Sequence, residues 1–147
     1  MVNIDASVSV AYEDVRNDKT ATNWLIMGYV DEKGETLGLV GTGNGGLAEF
    51  KTKLKDDQAY FGYVRMVVGN DELSQRSKFL LVSWCGPSVK VMRRGKLSVH
   101  IADVKGVIKS FAVEISASSV DELKEAQVTL LLQKAMGANY DRQASSY

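Results

Sequence analysis

Cysteine, histidine and proline each occur once in the 147 residues, as Cys85, His100 and Pro87. A single thiol excludes an intrachain disulfide and a zinc site built on several cysteines. A single imidazole excludes metal sites that need two histidines, and a histidine-activated nucleophile would have to draw on His100. Net charge is also lacking, because 18 Lys and Arg balance 18 Asp and Glu. A nucleic-acid binder acting through bulk positive charge is disfavoured, since such binding displaces counterions with an excess of cations. No stretch approaches the ~20 apolar residues of a membrane span. The start, Met1-Val2-Asn3-Ile4-Asp5, has neither the basic nor the apolar region of a secretory signal. A cytosolic protein is expected.

What is present is an ordinary globular mixture, 45% hydrophobic and 24% charged, at the length of one domain. Asp5 caps a helix whose apolar positions Val8, Ala11, Tyr12 and Val15 follow the helical period. Asn23–Val30 and Glu35–Val40 read as a strand hairpin closed by Asp31-Glu32-Lys33-Gly34. Gly41-Thr42-Gly43-Asn44-Gly45-Gly46 is expected to be a flexible loop, leading into a short helix with Leu47, Phe50 and Leu54. Ala59–Val68 and Arg76–Trp84 read as strands joined by a turn at Gly69-Asn70-Asp71. Gly86-Pro87 ends the second, because proline lacks the N–H that a central strand needs.

The longest helix is expected over Val89–Phe111, with Val91, Leu97, Ile101, Val104 and Ile108 facing inward. Phe111–Ile115 is expected as a short strand. Ser118 or Ser119 caps a last helix, Ser119 with Glu122 as a capping box, and Gly137 is expected to end it. The polar tail, 136–147, is expected to be mobile, leaving one domain over 2–135. This order implies a mixed α/β (α+β) domain. Its central mixed sheet has five strands, or six, with helices on both faces.

Several groups invite a chemical reading. Gly41-x-Gly43-x-x-Gly46 matches the dinucleotide fingerprint, in which glycines let the backbone approach a pyrophosphate at a helix N-terminus. Yet the strand before it reads as half of a hairpin, and no acidic residue follows at the required distance. Cys85 ends an apolar strand and has no evident base in the sequence. The acidic neighbours Glu13/Asp14, Asp56/Asp57 and Asp71/Glu72 fall on turns or solvated faces, so none makes an acid–base couple. Charge is segregated, however. Between Gly86 and Ser110 stand Lys90, Arg93, Arg94, Lys96, Lys105 and Lys109 against Asp103 alone. Val89-Lys90-Val91-Met92-Arg93-Arg94 mixes cations with an adaptable thioether, which suits a protein-binding surface as well as a solvated helix face.

Three separated segments resemble one family. Ser74-Gln75-Arg76-Ser77-Lys78-Phe79, running into Val82-Ser83-Trp84, is similar to the Ser-Lys-Arg-Ser-Lys-Phe…Trp strand of the coactosins. Lys134-Ala135-Met136-Gly137-Ala138-Asn139-Tyr140-Asp141 resembles their Lys-Ala-Gly-Gly-Ala-Asn-Tyr-Asp, and Ala11-Tyr12-Glu13-Asp14-Val15-Arg16-Asn17-Asp18 resembles their opening. The likeness spans essentially the whole chain. Coactosins belong to the ADF/cofilin homology group, so the resemblance implies a single ADF-homology domain that binds filamentous actin without catalysis, cofactor or metal.

By motif, the resemblance implies Lys78, Arg76 and Lys134 as actin-binding residues. The Val-Lys-x-Lys-Met segment of ADF/cofilins adds Lys90, Met92, Arg93 and Arg94 at the start of the long helix. It further implies binding to the acidic filament side, little or no binding of monomeric actin, a monomeric cytoplasmic protein at the cytoskeleton, and interference with barbed-end capping. Gln75 and Met136 depart from the family motifs, and the family's longer amino-terminal arm has no counterpart, which argues against strong severing. The alternatives are a nucleotide-dependent enzyme using Gly41–Gly46 and a lipid or scaffold adaptor using the basic patch.

Overall fold

The computed structural model describes residues 2–31, 34–69 and 76–145, with side chains as far as Ala135. The expected turn residues Glu32, Lys33, Asn70 and Asp71, the motif residues Ser74 and Gln75, and the side chains of 136–147 lie outside the described residues.

Six strands form one mixed sheet: β1 (Asn3–Ile4), β2 (Trp24–Tyr29), β3 (Thr36–Gly43), β4 (Ala59–Val68), β5 (Arg76–Cys85) and β6 (Val113–Ala117), in the order β1-β3-β2-β4-β5-β6. The inner pairs are antiparallel. The outer pairs, β1 with β3 and β5 with β6, are parallel. The sixth strand is β1, which pairs Asn3 with Thr36 and Ile4 with Leu37. Two residues are too few to carry an alternation, so no periodicity marks them.

Strand alternation divides the core. Leu25, Met27, Phe61, Tyr63 and Leu81 face helices α1 (Ala6–Arg16) and α3 (Val91–Val107). Trp24, Ile26, Val64, Leu80, Val82 and Trp84 face α2 (Gly46–Thr52) and α4 (Glu125–Ser145). Helices thus cover both faces. Asp5 caps α1 as expected, its carboxylate accepting from the Ser7 N–H at 3.0 Å.

Four expectations need correction. Gly41 and Gly43 belong to β3 and pair with Ile26 and Trp24, so they are not loop residues. A Cβ on Gly43 would lie 2.5 Å from Cε2 and Cζ2 of Trp24, so glycine is required there by close packing under the indole. The long helix is α3, Val91–Val107, shorter at both ends than Val89–Phe111. Its start is delayed because Ser88 N–H donates to Asp56 O at 2.9 Å and Val89 N–H to Gly86 O at 3.1 Å, holding those residues in a turn. Val91 points outward and Val89 is buried in its place. Ser119 and Glu122 do form a capping box, but on a single 3₁₀ turn, Val120–Leu123, ahead of α4. Lastly, α4 continues through Gly137 to Ser145; a glycine costs a helix about 1 kcal/mol against alanine and does not by itself end it.

Candidate functional site

The register of β5 separates the candidate residues into two groups. Lys78 pairs with Met66 near one end of β4, and Cys85 pairs with Ala59 at the other. Seven residues of strand span about 23 Å. A tight turn after Cys85 then delivers α3, with Gly86 N–H on Gln58 O at 3.1 Å. Arg76 and Lys78 therefore lie at one end of the sheet, and Lys90, Met92, Arg93 and Arg94 at the other.

The first group gathers on the α4 face. Arg76 and Lys78 have the parity of Leu80, Val82 and Trp84, which pack toward α4. The Gln133 amide donates to Gly69 O at 2.9 Å, docking α4 beside the end of β4, with exposed Lys134 next along the helix. Arg76 is exposed and Lys78 half-buried. Strand parity and the docking of Gln133 thus place Arg76, Lys78 and Lys134 on the same side of the sheet.

The second group is a helix start of unusual composition. Lys90 is the N-cap of α3, its side chain makes no capping hydrogen bond, and the first turn holds no acidic residue. Helix N-termini carry partial positive charge and unpaired N–H groups. Cations at this end are misplaced for the helix alone and favour an acidic group from outside. Val91 is 81% exposed and Met92 80%, and Val99 further along is 68% exposed. Gly95 has nothing within 4 Å of where a Cβ would stand. Val91, Met92, Gly95 and Val99 therefore make an apolar stripe on the outer face, with Lys90 and Arg94 beside it.

Arg93 does not belong to that stripe. It is half-buried, its guanidinium carbon lies 3.8 Å from the Tyr29 ring centroid, and its N–H groups donate to Asp31 O and Gly34 O at 3.3 Å. Sequence reasoning missed the two valines. The signal was present: Leu97, Val104 and Ile108 set the inward direction, and Val99 lies about 200° round the helix from Leu97.

The remaining chemistry is absorbed by structure. Glu49 accepts from the Trp24 Nε1–H at 2.8 Å and the Gly45 N–H at 3.0 Å, bonds that hold its carboxyl below the usual range. It thereby supplies the start of α2 with an anion, next to glycines already used by Trp24. His100 is bonded to Tyr29, while the Cys85 thiol lies 3.9 Å from Gly86 O, so the two are not a couple. Among the described residues no three His, Cys, Asp or Glu side chains are grouped to hold a metal ion, and no helix is long and apolar enough to cross a membrane.

Comparison with known proteins gives the family. Residues 1–132 match the model of the cofilin/tropomyosin-type actin-binding proteins. The chain is 36% identical over 140 residues to coactosin of Dictyostelium discoideum, covering 95% of this chain and 94% of that one. It is 37% identical over 133 residues to the human coactosin-like protein, covering 90% of each. The crystal structure of coactosin from Entamoeba histolytica superposes with a TM-score of 0.84 at 30% identity, covering 92% of this chain and 97% of that one. The solution structure of mouse coactosin, described as an actin filament binding protein, does so with a TM-score of 0.74 at 35% identity, covering 97% of each. Fold, basic motif and relatives converge: the chain belongs to the cofilin-type actin-binding family, on its coactosin branch.

Proposed function

We propose that this protein is a non-enzymatic binder of the sides of actin filaments that regulates filament dynamics and opposes barbed-end capping without strong severing. It acts as a cytoplasmic monomer at the cytoskeleton, with weak or no binding of monomeric actin. The observation that carries the reading is the pair Val91 and Met92, 81% and 80% exposed at an uncapped helix start beside Lys90 and Arg94. A flexible thioether and a valine fit a shallow apolar cleft, and cations around it steer an acidic partner into place. Arg76, Lys78 and Lys134 lie toward the far end of β5, whose stretch from Lys78 to Cys85 alone spans about 23 Å, and offer a second surface. Two surfaces so separated suit a polymer that presents adjacent subunits, and this favours filament over monomer.

Exposed cations contribute only about 0.2–1 kcal/mol each, so several must act together. Binding therefore weakens with salt, as the Debye length shortens to ~8 Å at physiological ionic strength. The test is high-speed co-sedimentation with filaments at low and physiological salt, beside a monomeric-actin control. Salt-weakened pelleting, reduced by Met92→Ala in a folded protein, is expected. Absence of pelleting at low salt overturns the reading.

A further inference from the structure

Arg93, Lys96, His100 and Asp103 recur at helical spacing along one side of α3, and each reaches far across the sequence. Arg93 covers the Tyr29 ring at 3.8 Å and donates to Asp31 O and Gly34 O, the two sides of the β2–β3 turn. Lys96 Nζ is 3.1 Å from Glu35 Oε1. His100, 4% exposed, has its Nδ1 2.6 Å from the Tyr29 hydroxyl. The Asp103 carboxylate accepts from Val2 N–H at 3.0 Å beside β1. Below this row, Leu97, Val104 and Ile108 anchor the middle and end of α3 in the core. The first turn has no such anchor, since Val91 and Met92 point to solvent.

We propose that Arg93 is a positioning residue rather than a contact: with Tyr29, Lys96 and His100 it forms a brace to the β2–β3 turn that fixes how α3 presents Val91 and Met92. The proposal rests on α3 being the binding helix, but the brace itself is a property of the free protein.

The brace should also respond to acid. Burial holds His100 below its ordinary range; Glu35 and Asp103 oppose this, while Lys96 and Arg93 add to it. A loosened brace exposes the imidazole and restores its ordinary value near ~6.5. The loosened state therefore gains protons first as pH falls below that value. The brace is fully favoured above it and weakens beneath it.

Two readouts on the intact protein test this. The first is amide protection of residues 94–98 and 36–38 in free protein. Arg93→Ala should lower it about tenfold, between the sizes of an exposed and a desolvated cation–π contact as suits a half-buried residue, whereas Lys90→Ala should leave it unchanged. Wild-type protection should fall as pH drops from about 7.5 to 5.5, and His100→Gln, which keeps an acceptor for Tyr29 but cannot titrate near neutrality, should flatten that profile. The second readout is filament affinity, where Arg93→Ala and Tyr29→Leu, which removes the ring that Arg93 covers, together should lose less than the sum of their single effects. Unchanged protection in a folded Arg93→Ala protein overturns the brace, whatever happens to binding. Reduced affinity that is additive with Tyr29→Leu makes Arg93 a contact and also overturns it. Failure of the wild-type protein to bind filaments, with protection changing as expected, sinks the binding reading and leaves the brace standing.

Discussion

Gly43→Ala separates the packing account of the glycine segment from the ligand account. The added Cβ would stand 2.5 Å from Cε2 and Cζ2 of Trp24 and closer still to Glu49 Oε1. The Glu49 carboxylate, at the end of a flexible side chain, can swing aside at the cost of its hydrogen bonds, but the indole has no room to yield. The indole is 2% exposed, its ring centroid is 6.1 Å from that of Phe50 in an edge-on arrangement, and its Nε1–H is bonded to Glu49 at 2.8 Å. Overpacking of this kind costs about 1–3 kcal/mol. Removing a glycine restricts the unfolded chain and offsets roughly 0.5–1 kcal/mol of that. The net loss, about 1–2 kcal/mol, corresponds to a melting point lower by roughly 3–6 °C for a domain of this length.

Gly106→Ala is the matched control. Gly106 lies on α3 with nothing within 4 Å of the added Cβ, so the helix gains about 0.8–1 kcal/mol and the melting point rises by roughly 2–4 °C. Thermal unfolding followed by circular dichroism reads both. A Gly43→Ala protein that melts with the wild type would show that the indole shifts at no cost, and the packing explanation would fail. Were the segment also a phosphate cradle, the wild-type protein would give a calorimetric signal with nucleotide that the variant loses.

The remaining predictions concern stability, surface and pH. Arg65 donates to Val15 O and Asn17 O at 2.9 Å and Thr20 O at 3.1 Å, closing the end of α1. Arg65→Ala should cost about 2–3 kcal/mol, read as a lower urea midpoint with an unchanged slope. Lys78→Ala should weaken filament co-sedimentation while shifting the melting point by less than about 1 °C, and its loss should add to that of Met92→Ala because the two sites do not touch. Strong non-additivity would mean that they share one contact surface. Burial pushes up the phenol of Tyr63, and also those of Tyr29 and Tyr60. A phenol harder to ionise when folded stabilises fully below about pH 10 and progressively less above it. The part of the phenolate absorbance that belongs to these three should therefore appear together with alkaline unfolding, and early ionisation of all six tyrosines in a folded protein would refute their burial.

Helices and strands with a one-sided pattern were legible because burial imposes the period: Val8, Ala11, Tyr12 and Val15 all face the core, as their spacing requires. Where the structure departs from the pattern, a long-range contact decided the outcome. Gly41-x-Gly43-x-x-Gly46 looks like a loop locally, but β3 runs through its first half because Trp24 needs the space above Gly43. The long helix was extended too far in both directions because hydrophobicity cannot reveal that the Ser88 and Val89 N–H groups are already taken by turn carbonyls.

The same limit governs the candidate surface. In a sequence, Arg93 and Arg94 are equal cations on one turn. They part company only because Tyr29 and the carbonyls of the β2–β3 turn lie on one side of the helix. Val91 and Val99 carry the converse lesson. A valine inside a helical stretch reads as core, yet both lie on the outer face, where they gain nothing from folding. Apolar side chains left outside add nothing to the isolated domain, and a first turn with cations and no acidic residue costs the helix a little. Both features would be turned to use by the same event in the binding proposed above, the arrival of a partner with an apolar cleft and an acidic rim. That coincidence points to α3 more strongly than the count of its cations does.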